Sequence, residues 1–154
     1  MNKLMKKRKM RGFTLVELLI VIIIIGILAG ALLLVAGAGT DKANATKIVS
    51  DMRSIKAAAI MKYADEGDWS WVEGDTIENE LGDYMDRDIN SSKIASYDVV
   101  SNDTDATVWV KASKINDKKI QEKLANMAGE SGIYKNTTSA DEYTAAAEAY
   151  MKVK

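Results

Sequence analysis

The chain has no cysteine and no histidine. Without cysteine there is no disulfide, thiolate metal site, cysteine nucleophile or lipid-anchored cysteine. Without histidine the commonest general base and metal ligand is missing, so an ordinary triad hydrolase or zinc enzyme is excluded. Proline is absent too, which leaves helices free to run unbroken. Aromatic residues make up only 6 %, so a core has to come largely from Ile, Val, Leu, Met and Ala. Charge is missing from one long stretch: residues 18–39, LLIVIIIIGILAGALLLVAGAG, hold no ionisable side chain.

What remains is a chain of 154 residues, enough for one domain with a modest core. Its 47 % apolar and 28 % charged residues fit a globular body rather than a disordered one. The net charge of -1 hides a division. Lys3, Lys6, Lys7, Arg8, Lys9 and Arg11 precede the apolar run with no acid among them, leaving 15 bases against 22 acids in the rest. A mildly acidic body gives no reason to expect general nucleic-acid binding.

The 22 uncharged residues, at about 1.5 Å of rise each in a helix, suffice to cross a hydrocarbon core of roughly 30 Å. The preceding bases predict a single span with its N-terminus in the cytoplasm and the body outside. Three readings of the run compete: a permanent anchor, a secretory signal cut near Ala36-Gly37-Ala38, and a processed helix. Its length exceeds the usual signal core of about 7–15 residues. Glu17 interrupts its beginning. A carboxylate there must be protonated, paired or held at the membrane edge, because burying it in hydrocarbon costs several kcal/mol. Cutting between Gly12 and Phe13 would remove every leader base and create an amine about one helical turn from Glu17. That amine, or a neighbouring copy's, would neutralise the carboxylate and lower the cost of burying it.

The segment Gly12-Phe13-Thr14-Leu15-Val16-Glu17-Leu18, between a basic leader and an apolar run, resembles the class III signal of type IV prepilins and type II secretion pseudopilins. The resemblance implies that a prepilin peptidase cuts after Gly12 and methylates the amine of Phe13. It implies that Glu17 guides assembly by pairing with a neighbour's N-terminus. It also implies an α+β, pilin-like fold: a long N-terminal helix, half transmembrane and half amphipathic, on a small antiparallel sheet. Residues 1–12 would be a leader that is removed, 13–39 the transmembrane or filament-core helix, and 40–154 the extracytoplasmic head. The function implied is that of a structural subunit of a type IV pilus, with no catalysis and no cofactor. Its partners would be the peptidase, other copies, inner-membrane assembly machinery, and the bilayer before assembly. The alternatives are a pseudopilin of a type II secretion or DNA-uptake system, and a secreted or membrane-anchored binding domain. Many relatives carry a helix-kinking proline near Leu34, and this chain has none. Gly26, Gly30 and Gly37 are its local weak points instead, or places of close helix packing.

Beyond residue 40 the helical period continues. Ile48, Met52, Ile55 and Ala59 form one core stripe, with Lys47, Asp51 and Lys62 placed off it. Gly67 suits a left-handed stop after a helix running from about 14 to 65. A short helix is expected over 77–86. Trp69 and Trp71 are either a surface-contact pair or anchors of their loop on the core. Residues 93–100 and 106–112 predict a hairpin, with Trp109 on one face and Val108 and Val110 on the other. Asp103 and Asp105 in its turn are weak calcium candidates, since some pseudopilins bind calcium in this region; the other reading is a solvated turn. In a helix over 116–128, Ile120, Leu124 and Met127 would line one face and Gly129 would close it. Ile133-Tyr134 suggests a strand. Ser139-x-x-Glu142 resembles a capping box, and the last residues are expected as a helical or loop segment followed by an edge strand.

Overall fold

The computed structural model describes residues 12–73, 76–88, 93–102, 105–138 and 141–154. The leader through Arg11, Asp103 of the turn and Ser139 of the capping pattern lie outside the described residues. The chain divides into two units, Met1–Ala38 and Gly39–Lys154.

Continuous helical periodicity without proline produces a single helix, α1, over Leu15–Glu66. It stops where anticipated: Gly67 adopts φ 84° and its N–H donates to Tyr63 O at 2.8 Å. Residues 15–33 of α1 are exposed at every position and are long and apolar enough to cross a membrane.

In the second unit, the head, the stripe of Ile48, Met52, Ile55 and Ala59 is fully buried. It faces a four-stranded antiparallel sheet of β1 (Ser96–Asn102), β2 (Thr107–Ser113), β3 (Ile133–Tyr134) and β4 (Ala149–Lys152), ordered β1-β2-β4-β3. Register aligns Val99 with Val110, Val110 with Met151, and Met151 with Ile133. These four side chains make one buried row across the sheet. The terminal strand is therefore not the edge strand its sequence suggested. β4 lies inside the sheet, because β3 pairs along its free side. Before β4, residues 141–148 form a loop with no helix, in spite of the alanines. Tyr143 is buried there and its hydroxyl donates to Ala146 O, a tertiary anchor that overrides local helix propensity.

Between α1 and β1 lie a 3-10 turn at Ser70–Glu73, helix α2 at Ile77–Leu81 and a second 3-10 turn at Gly82–Tyr84. Helix α3 (Lys118–Ala125) starts under Asp117, whose side chain accepts from Lys119 N–H. It buries Ile120 and Leu124. Helix α4 (Ala128–Ser131) follows, and Gly132 at φ 67° closes it. Gly129 is thus inside α4 rather than the stop, since the positive φ falls three residues later.

The hairpin puts Trp109 opposite Val108 and Val110, yet both sides are buried. Trp109 is covered by Tyr134 edge-on at 5.6 Å and by the Lys152 ammonium at 5.8 Å.

Candidate functional site

Gly12 and Phe13 lie in non-helical chain just before α1, and the Phe13 ring is 83 % exposed. Thr14 then opens the helix. Its hydroxyl accepts from Glu17 N–H at 3.2 Å, while Glu17 Oε2 accepts from Thr14 N–H at 2.8 Å and Thr14 Oγ1–H at 2.9 Å. This reciprocal capping box satisfies two N–H groups that the first helical turn leaves without partners. Glu17 is thereby held with its carboxylate folded back toward residue 14, on the side from which Phe13 enters the helix. The structure thus brings Phe13, Thr14 and Glu17 together at one helix start. The capping role was absent from the sequence reading, although Thr14-x-x-Glu17 carries the usual pattern for it.

In the head, two charged side chains expected off the core stripe are buried. Asp51 is completely enclosed. Its Oδ2 accepts from Lys47 Nζ at 2.8 Å and Tyr97 O–H at 3.0 Å, and its Oδ1 from Arg87 at 2.6 Å. Burial, then the Asp51 charge beside it, pushes the Tyr97 phenol far above its ordinary range. Lys62 is enclosed as well. Its ammonium lies 2.5 Å from a Glu80 carboxylate oxygen, 3.3 Å from Glu66, and 5.3 Å from the centre of the Trp71 ring. Glu80's hydrogen bond holds the Lys62 pKa above its usual value. Both charges survive burial because each is paired and hydrogen-bonded. Both lie off the stripe as expected, and they are buried nonetheless because α2 and β1, through Glu80 and Tyr97, reach the face beside it.

Trp69 and Trp71 behave as loop anchors. Trp71 is buried, and Trp69 stacks on Tyr63 with ring centres 4.7 Å apart. Asp105 serves the hairpin turn: its Oδ1 accepts from Thr107 N–H at 3.1 Å and Thr107 Oγ1–H at 2.6 Å. Among the described residues no cluster of three or more acidic groups is placed to hold a metal ion.

A family profile described as the prokaryotic N-terminal methylation motif matches residues 7–33. The type II secretion system core protein G of Klebsiella michiganensis is 36 % identical over 69 residues, covering 45 % of this chain and 49 % of that protein. The core protein G of Aeromonas hydrophila is 36 % identical over 69 residues, covering 45 % and 48 %. The chain thus spans about half the length of the curated relatives it matches. The solved major type IV pilin of Clostridium difficile superposes with TM-score 0.53 at 19 % identity, over 75 % of this chain and 98 % of that one. That likeness establishes the fold: a long helix with an apolar stretch, and a small antiparallel sheet. Motif, sequence relatives and fold agree: the chain is similar to a type II secretion core protein in sequence and to a type IV pilin in fold, and it carries the N-terminal methylation motif.

Proposed function

We propose that the chain is a structural subunit of a type IV pilus-like filament, stored in the membrane, trimmed, and polymerised through its N-terminal helix. The observation that carries this reading is the helix start. An exposed Gly12-Phe13 junction leads into 19 residues, Leu15–Leu33, that include the capped Glu17 and bury nothing within the subunit. So much apolar surface requires lipid or other helices around it. Before assembly the bilayer would cover it, with the leader bases in the cytoplasm. After assembly, neighbouring copies would.

Processing by a prepilin peptidase between Gly12 and Phe13 would remove the basic leader, residues 1–12, and leave a methylated amine on Phe13. Residues 13–39 would then form the filament core and 40–154 the outward head. Glu17, displaced from water, would gain most from a neighbour's amine, and that pairing would set the register between copies. Membrane-embedded assembly machinery would lift subunits from the bilayer. The subunit's own role is then structural rather than catalytic.

The sequence similarity to core protein G favours a second reading, a pseudopilus subunit of a secretion system. Both readings require the same processing. Sequencing the mature N-terminus tests them together: a methylated Phe13 start is expected, and a start at Met1 or Gly39 would overturn both. Imaging the assembled material then separates long surface fibres from short envelope-spanning ones.

A further inference from the structure

Two cations on the outer half of α1 pair with an acid four residues on. Lys47 lies 2.8 Å from Asp51, and Lys62 lies 3.3 Å from Glu66. Arg53 and Lys56 break that pattern. No acid stands three or four residues from either, since those positions hold Val49, Ser50, Met52, Ala57, Ala59 and Ile60 besides the two cations themselves. Three residues apart, the two are neighbours on the helix surface and their charges add.

Both line a cleft of about 470 Å³ between α1, the end of α4 and strands β3 and β4. Ser131, Gly132, Tyr134 and Lys152 line it too, and no acidic residue does. Among the described residues none of the three cations makes an ion pair. Lys152 is partly answered outside the cleft, by the Trp109 ring 5.8 Å from its ammonium and by Asp105, on which its charge acts. Arg53 and half-buried Lys56 carry the charge that is left over.

We propose that this cleft binds a phosphate group, either free or carried by a lipid headgroup. A guanidinium offers paired donors that match two phosphate oxygens, and an ammonium adds a point charge with three donors. The hydroxyls of Ser131 and Tyr134 extend the donor set. A carboxylate presents two oxygens in one plane and leaves part of that set unused. The body of the chain, with 15 bases against 22 acids, repels a long polyanion, so a single phosphate fits better than a nucleic acid. The inference concerns the head alone and stands apart from the filament reading.

Full-length protein in detergent micelles, titrated with inorganic phosphate and followed by amide NMR, tests it. Saturable shifts at Ser131, Gly132 and Tyr134 are expected, with a much weaker response to acetate at the same ionic strength. Arg53→Gln with Lys56→Gln should weaken phosphate binding at least about tenfold, the effect of losing charged hydrogen bonds. Arg53→Lys keeps the charge and should lose less. Lys118→Gln with Lys119→Gln, on α3, should change nothing. Amide shifts away from the cleft report whether each variant is folded; if the double variant is not, Arg53→Gln and Lys56→Gln must each weaken binding on their own. Shifts that do not saturate, an equal response to acetate, or binding that survives the loss of Arg53 and Lys56 would overturn the proposal.

Nanodiscs of phosphatidylcholine with and without phosphatidylglycerol separate the two sources. Shifts at the same amides that appear with phosphatidylglycerol, and that free phosphate reverses, support a lipid headgroup. Shifts that appear only on adding phosphate support the free anion. Duplex DNA that outcompetes phosphate, compared per phosphate group, would overturn the single-phosphate site in favour of a nucleic-acid surface.

Discussion

Arg87 meets Asp51 across 36 residues of sequence, with Arg87 Nη2 2.6 Å from Asp51 Oδ1. The contact ties the segment after α2 to the buried face of α1. It neutralises a carboxylate that has no exposure of its own.

Removing the guanidinium leaves that carboxylate with Lys47 and Tyr97 alone. Arg87→Met should therefore cost about 2–3 kcal/mol, the range of a hydrogen bond to a buried charge. Asp51→Asn should cost a similar amount. The double variant should cost less than the sum, because each change removes the other's partner. Urea unfolding followed by the fluorescence of buried Trp71 and Trp109 reads the head specifically; strict additivity would show that the pair contributes nothing.

Lys62 sets an alkaline limit. Its folded pKa is raised, chiefly by the hydrogen bond to Glu80. The stability it contributes is complete below the unfolded value of about 10.4 and is lost as pH rises through the raised folded value. Lys62→Met should remove that part of the alkaline loss, seen by comparing unfolding midpoints of the two proteins at neutral and high pH.

Asp105 and Glu148 set part of the acid limit. The Thr107 hydroxyl lowers the Asp105 pKa, and hydrogen bonds from Lys111 and then Tyr150 lower that of Glu148. Both contributions are complete above the unfolded values, about 4, and are lost as pH falls through the depressed folded ones. Asp105→Asn and Glu148→Gln should each flatten the loss of stability below that range. Titration of the native carboxylates by NMR should give both below their ordinary values.

At the helix start, capping and charge are separable. Thr14→Ala removes the hydroxyl cap and should destabilise the first turn by about 1 kcal/mol, visible as faster amide exchange over residues 15–18. Glu17→Gln keeps an acceptor for Thr14 N–H but no charge. It should preserve that first turn while blocking assembly; normal filaments from Glu17→Gln would leave capping as the residue's only role.

Much of the fold was readable because its signals are local. The stripe Ile48-Met52-Ile55-Ala59, the stop at Gly67 and the hairpin of β1 and β2 each follow from periodicity or turn chemistry over a few residues. The Gly12-Phe13-Glu17 pattern lies within six consecutive residues. The burial of Asp51 and Lys62 was not readable, for the opposite reason. Asp51 follows Ile48 by three positions and Lys62 follows Ala59 by three, so both sit beside the stripe on a helical wheel. Helical geometry does not reveal how wide a face will be covered. The partners that permit burial, Arg87, Tyr97 and Glu80, come from distant segments.

By itself, then, the sequence determined the N-terminal motif, the charge-free run and the long helix, since each depends on neighbours a turn or two away. The tertiary structure alone decided that β4 lies inside the sheet and that two ions lie inside the head. Strand order and ion burial depend on which remote segments arrive at a surface, and the pattern within any one segment is the same whichever partner comes.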